Sequence, residues 1–243
     1  MAAMSTQPAP RPYRYYDLIM ALFVTVLLIS NLLSSAKIID LGFSLGALKF
    51  AFDAGTLVFP ISYIFGDVLT EVYGYRRSRR VIWAGFGANV LLGFFIWLAS
   101  VLPGEAEWQG YAGQDAYDAI LGGVSRLIVA SLAAYFLGEF SNSYVLAKMK
   151  LWTGGRWLWT RTIGSTLVGQ FIDTTVFILL ATALGVFPPE LMPSLIATNY
   201  VLKVGFEALL TPLTYRVVNL LKAAEREDYF DRQTDFNPFK ISV

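Results

Sequence analysis

Apolar residues along the chain fall into six long runs separated by short polar stretches: 18–36, 50–70, 81–102, 121–146, 162–187 and 193–213. Each is about the 20 residues that a helix needs to cross the hydrocarbon core of a bilayer. A segment in lipid must satisfy its own backbone hydrogen bonds, so helix is predicted for all six. The expected fold is therefore an all-α membrane protein of six transmembrane helices. Residues 1–16 are rich in proline, carry Arg11 and Arg14, and are predicted to be disordered. Residues 17–218 form the predicted membrane domain, and 219–243 a charged tail whose Leu220 and Leu221 extend the last helix. Ser34-Ser35-Ala36 loosely imitates a leader cleavage site. The run before it is long enough to span, and is read as a retained helix.

Charge in the connections sets an orientation. Arg11 and Arg14 precede the first run, and Arg76, Arg77, Arg79 and Arg80 lie between the second and third. Lys148, Lys150, Arg156 and Arg161 lie between the fourth and fifth, and Arg216, Lys222 and Arg226 follow the sixth. The connection between the third and fourth carries Glu105, Glu107, Asp115 and Asp118 and no basic residue. Basic loops face the cytoplasm, so both termini are predicted there. Trp152, Trp157 and Trp159 fit an interfacial aromatic belt. Small residues such as Ser165, Gly169, Gly85 and Gly87 permit close helix packing.

Composition agrees with this picture. Apolar types make up 56% of 243 residues and charged ones only 15%, too little charge to cover a soluble domain of this size. Cysteine and histidine are both absent, which excludes a disulfide framework, a Cys/His metal site and the usual histidine general base. The basic residues flank apolar runs and form no separate basic domain, so no nucleic-acid partner is expected. No G-x-x-x-x-G-K-[ST] loop occurs, and any ATP hydrolysis must come from another protein. No cofactor is expected.

Ionisable groups inside the runs carry the chemistry, because each costs about 2.5–3.5 kcal/mol at the centre of a spanning helix. In the second run Phe59, Tyr63, Asp67 and Glu71 recur every fourth residue and share one face of a regular helix. The fourth contributes Tyr135, Glu139, Asn142 and Ser143, the fifth Gln170, Asp173, Thr174 and Phe177, and the sixth Asn199, Lys203 and Glu207. Four polar stripes facing lipid would be prohibitively costly, so they are expected to converge inside the bundle. Carboxylates and amides offer paired hydrogen bonds, and aromatic faces sandwich a flat ring. A planar heterocycle with an amidine-like N–H edge fits this inventory. The plainer alternative is a set of structural ion pairs and interhelical hydrogen bonds. In that reading Asp67 and Glu71 pair with the Arg76–Arg80 cluster, whereas in the binding reading Lys203 pairs with Glu207 or another acid and neutralises it in the empty state. Asp53 and Lys49 are expected at the interface, and Asp173 has no basic neighbour in sequence.

Several segments resemble a known family. Phe65-Gly66-Asp67-Val68-Leu69-Thr70-Glu71-Val72-Tyr73-Gly74 is similar to a signature of the queuosine precursor transporter family. So are Gly138-Glu139-Phe140-Ser141-Asn142-Ser143, the segment 165–174 from Ser165 to Thr174, and the tail segment 231–239 from Asp231 to Phe239. The resemblance runs from the first helix to the tail. It implies a multi-pass protein of the bacterial inner membrane that imports 7-deazaguanine precursors of queuosine. It also implies a six-helix fold similar to the substrate-binding subunits of energy-coupling-factor transporters. Asp67, Glu71, Glu139, Asn142, Gln170 and Asp173 lie in the matched blocks and are the implied ligand contacts; Lys203 and Glu207 rest on the stripe pattern alone. The nitrile-bearing, aminomethyl-bearing and free-base precursors stay open. The expected partners are this heterocycle, the lipid bilayer and, in an oligomer, a second copy of the chain. A secondary transporter is expected first and a substrate-binding subunit of an ATP-driven complex second. A membrane enzyme comes last.

Overall fold

The computed structural model describes residues 13–45 and 48–240. Most of the described chain is helical. Helix α1 (Tyr16–Ala36) leads into an antiparallel hairpin of β1 (Ile38–Leu45) and β2 (Leu48–Asp53), with Ile38 opposite Asp53, Leu45 opposite Leu48 and a register shift between Asp40 and Ser44. After a 3-10 turn at Ala54–Leu57 come α2 (Phe59–Val68) and a π-helical turn at Leu69–Tyr73. Then follow α3 (Tyr75–Val101), two short helices α4 (Ala106–Tyr111) and α5 (Gly113–Ile120), and the long α6 (Gly122–Trp152). Helices α7 (Leu158–Ala183) and α8 (Met192–Glu225) complete the bundle. The closest helix pairing is α6 against α7, with α3 along α6 and α8 along α7.

The bundle is apolar outside, and inside it polar and charged side chains are buried beside an apolar core that includes Phe23, Val68 and Ile178. Phe95, Phe171 and Leu209 are 60%, 59% and 72% exposed, whereas Asp67, Gln170 and Glu207 are at most 2% exposed. Exposed rings and aliphatic chains at this density require lipid around them. The chain is a multi-pass membrane protein. Four stretches among the described residues are long and apolar enough to cross a membrane: Tyr16–Ala36, Tyr75–Val101, Gly113–Trp152 and Leu158–Ala183.

The second and sixth predicted spans differ from expectation, for physical reasons. Residues 50–53 of the second run belong to a strand, and the helical part that follows, fifteen residues with its π turn, is short for a crossing. A short apolar run rich in aromatic residues cannot be assigned to helix or strand by periodicity alone, and the hairpin is decided by pairing with residues 38–45. The sixth run belongs to a 34-residue helix that continues to Glu225, well beyond the predicted end, with Pro212 inside it. Its polar residues Asn199, Lys203 and Glu207 dilute the apolar character of any window through them.

Both described ends meet at one end of the bundle. The Tyr13 hydroxyl donates to Glu227, and the Arg14 and Tyr15 backbone N–H groups donate to Glu225 at 3.0 and 2.7 Å. Residues 13–16 are thus tied down, against the expectation of disorder; Arg11 lies outside the described residues. The tail beyond α8 packs back on α3. Tyr75 N–H donates to Asp231, Arg79 to the carbonyls of Asp235 and Asn237, and the Trp83 ring N–H to the Pro238 carbonyl at 2.8 Å.

Candidate functional site

Four helices bring the predicted stripes together. Helix α2 supplies Tyr63 and Asp67, α6 Tyr135, Glu139 and Asn142, α7 Gln170, Asp173 and Thr174, and α8 Lys203 and Glu207. Close backbone approach makes this possible. A Cβ on Gly138 would stand 2.6 Å from the Asp173 Cβ and 3.1 Å from the Gly169 carbonyl oxygen, so only glycine lets α6 sit this tightly on α7. On α2 a Cβ at Gly66 would meet only the mobile carboxylate end of Glu139, at 2.8 Å. The side chains of Phe59 and Lys49 lie outside the described residues.

Within this column the contacts divide into two groups. Lys203 Nζ donates to Asp173 at 3.0 Å and to the Thr174 hydroxyl at 3.4 Å. Asp173 thus has its cation in space, from α8, although none is near it in sequence. The second group is poorly satisfied. Asn142 Nδ2 donates to Asp67 Oδ1 at 3.4 Å, and Gln170 hydrogen-bonds the buried Tyr63 hydroxyl. Glu207 lies against Asp67, close enough for the two side chains to interact. Yet Asp67 Oδ2, Asn142 Oδ1, Gln170 Oε1 and both carboxylate oxygens of Glu207 are buried with no hydrogen-bond partner among the described residues. Buried polar atoms are rarely left this way, and a cluster of them calls for a functional account. Tyr135 anchors differently, donating its hydroxyl to the Ile82 carbonyl at 3.0 Å.

Two narrow cavities adjoin part of this column, though Asp67, Asn142 and Glu207 line neither. One is lined by Tyr63, Tyr135, Glu139, Gln170 and Asp173, the other by Ser34, Asp53, Asp173 and Lys203; Asn31 and Ser131 border both. Each has a volume of about 20 Å³, room for a water but far below the roughly 300–1,000 Å³ of small-molecule pockets. This conformation is closed around its polar interior. Sequence reasoning missed Asn31 and Ser131, which join α1 to α6 through a 2.7 Å hydrogen bond from the serine. A lone asparagine in an otherwise apolar run was the available signal. Asp53, expected at the interface, is instead 4% exposed and accepts from Ser34 at 2.5 Å and from Thr56 at 3.2 Å. The hairpin turns it inward.

Two predicted residues sit elsewhere. Glu71 is one turn beyond Asp67, but the π turn at Leu69–Tyr73 winds more residues per turn and carries it off the shared face. It lies at the centre of a buried charge knot, accepting from Arg161 at 2.7 and 3.2 Å and from Lys222 at 2.7 Å, with Lys150 at 3.5 Å. The expected pairing of Asp67 and Glu71 with Arg76–Arg80 does not form: Arg77 donates to the Tyr73 carbonyl and Arg79 to the tail. Ser143 is 0% exposed in a hydroxyl triad with Thr70 and Ser78, at 3.2 and 3.3 Å. Asp228 of the tail closes the knot, 2.6 Å from Lys150 and 2.8 Å from Lys222. Partial burial works to raise its carboxyl, but the hydrogen bonds from the two lysines outweigh that and hold it below the usual aspartate value.

Comparisons with known proteins accord with this arrangement. The family described as "Putative vitamin uptake transporter" matches residues 53–217, which contain α2, α3, α6, α7 and most of α8. A protein of Bacillus subtilis (strain 168) named "Probable queuosine precursor transporter" is 28% identical over 173 residues, covering 71% of this chain and 74% of its own. One of the same name from Haemophilus influenzae is 28% identical over 130 residues, 52% of this chain and half of its own. No solved structure matches the chain. These names are those of transporters, not enzymes.

Proposed function

The chain belongs to the putative vitamin uptake transporter family, and from that premise we propose that it imports a 7-deazaguanine precursor of queuosine across a bacterial inner membrane. The observation that carries this reading is the cluster of unpartnered oxygens on Asp67, Asn142, Gln170 and Glu207, buried between four helices. Such atoms are costly to bury unless something pairs with them during the working cycle. The 2-amino-6-oxo edge of a deazaguanine presents adjacent N–H groups that a carboxylate accepts together, and the Tyr63 and Tyr135 rings offer faces for the flat bicycle. The printed names of the two relatives point to the same ligand class.

In this proposal α2 with its hairpin and α8 complete six spans with both termini cytoplasmic, in a fold like that of energy-coupling-factor substrate-binding subunits. The chain works as a secondary transporter: the closed interior opens alternately to either side, and an interior acid gives a co-transported proton a place to ride. Glu71 and Ser143 act from outside the ligand contact, holding the helices that carry it. Because the sequence has no cysteine, single cysteines introduced at 115 and at 235 test the topology directly by labelling from either side.

Purified protein in liposomes tests transport. Accumulation or exchange of labelled precursor by this chain alone is expected; tight binding without flux would instead place it as the binding subunit of an ATP-driven complex. Collapsing the proton gradient should abolish accumulation. Asp173→Asn and Glu139→Gln should each weaken precursor binding by about tenfold or more while the protein stays folded. Unchanged affinity in both would return these residues to a structural role.

A further inference from the structure

The unpartnered atoms are alike in chemistry. The amide nitrogens of Asn142 and Gln170 are engaged with Asp67 and Tyr63, and both amide oxygens are left without a partner. To these are added one oxygen of Asp67 and both of Glu207. The unpartnered hydroxyls of Thr166 and Thr198 can act either way. Five acceptor oxygens therefore await donors, and two belong to a carboxylate lying against a second carboxylate. Lys203, one turn from Glu207 on α8, directs its ammonium to Asp173 and Thr174. Glu139, the nearest further acid, adds negative charge to the Asp67 surroundings.

A neutral deazaguanine has too few donors for this set. Its N–H edge satisfies one carboxylate, for which Glu139 and Gln170 beside the ring cavity are placed. The Asp67–Glu207 carboxyl pair then remains buried with only each other and Asn142 for partners and no cation beside it, which is costly at this depth. An alkylammonium supplies both donor and charge, with three N–H donors on a point charge. We infer that the Asp67–Glu207 pair is a receptor for a primary ammonium, and that Glu207 sets a preference for a cationic, aminomethyl-bearing heterocycle over its neutral nitrile analogue. This rests on the reading of the ligand as a deazaguanine and adds the part of it that the pair recognises.

Affinities of the purified protein for three probes test it: 7-aminomethyl-7-deazaguanine, 7-cyano-7-deazaguanine and guanine, measured by calorimetry. The amine should bind about 10- to 100-fold more tightly than the nitrile, the range for a charged hydrogen bond. Glu207→Gln should remove that advantage, bringing the amine and nitrile affinities to within about threefold of each other, and an unshifted melting temperature in detergent shows that the variant is folded. Should Glu207→Gln not fold, Asp67→Asn takes its place in the same comparison. Nitrile or guanine binding as tightly as the amine overturns the inference and leaves the deazaguanine reading standing. A preference for the amine that survives in the variant overturns the assignment to this pair. Binding of none of the three overturns both readings.

Discussion

Asp67 and Glu71 lie four residues apart in one segment, and the protein treats them in opposite ways. Glu71 is surrounded by Arg161, Lys150 and Lys222, with Asp228 balancing the excess of positive charge. Asp67 meets an amide and another acid, with one oxygen left unpartnered. Both are essentially fully buried. A compensated acid is a structural rivet, because removing it strands several cations in a dry interior. An uncompensated one carries a desolvation cost that the rest of the fold has to offset, and it is there that the proposed ligand would supply a donor. Burial alone therefore separates nothing; the sign of the neighbours does.

The sharpest way to break this comparison is to neutralise each acid in turn. Glu71→Gln should destabilise the protein by about 3–5 kcal/mol, the cost of leaving buried cations unpaired, seen as a large fall in melting temperature in detergent. Asp67→Asn should leave the melting temperature unchanged or raised, since it removes a buried carboxyl group that has no cation beside it. Equal destabilisation by the two would erase the distinction.

Next in size is Gly138→Ala, which forces α6 and α7 apart where a Cβ would press on Asp173. It should cost about 1–3 kcal/mol and loosen the Asp173–Lys203 pair that depends on the α6–α7–α8 packing. A melting curve superposable on that of the wild type would show that the helices need not approach so closely.

The smallest effect concerns the edge of the knot, where Asp228 is partly exposed. Its carboxyl is held below its unfolded value, so its stabilising contribution is complete above that unfolded value. It is lost as pH falls through the lowered folded value. Solvent screening limits the contribution to about 1 kcal/mol or less. The gap in melting temperature between the wild type and Asp228→Asn should therefore be small at neutral pH and close in acid. A gap that widens on acidification would reverse the sign of the interaction.

Much of this was legible before any fold was known. Apolar runs located α1, α3, α6 and α7 to within a few residues at most ends, because a lipid-facing helix must be apolar along its length. Polar stripes at helical spacing pointed to Tyr63, Asp67, Glu139, Asn142, Gln170, Asp173, Lys203 and Glu207, which the fold does gather between four helices. The hairpin was not legible, since residues 48–53 are as apolar as a helix start and only their pairing with 38–45 makes them a strand. Nor was the fate of Asp53, whose burial follows from that hairpin. Asn31 and Ser131 escaped because attention to ionisable groups passed over uncharged ones, although Ser131 precedes Tyr135 by one helical turn and Asn31 precedes Ser34 and Ser35.

By itself the sequence determined that this protein lives in lipid and hides its polar residues, since length, hydropathy and periodicity are local properties read along one segment at a time. Only the tertiary structure decided which acid has a counter-charge. Glu71 finds cations from three distant parts of the chain, Asp173 finds one on α8, and Asp67 and Glu207 find each other. The cause is geometric. A π turn after Asp67 moves Glu71 off the face that periodicity assigned to it, and glycine contacts draw α6 and α7 together around the rest. Coulomb energy depends on distance through space, and distance through space is what a linear pattern does not contain.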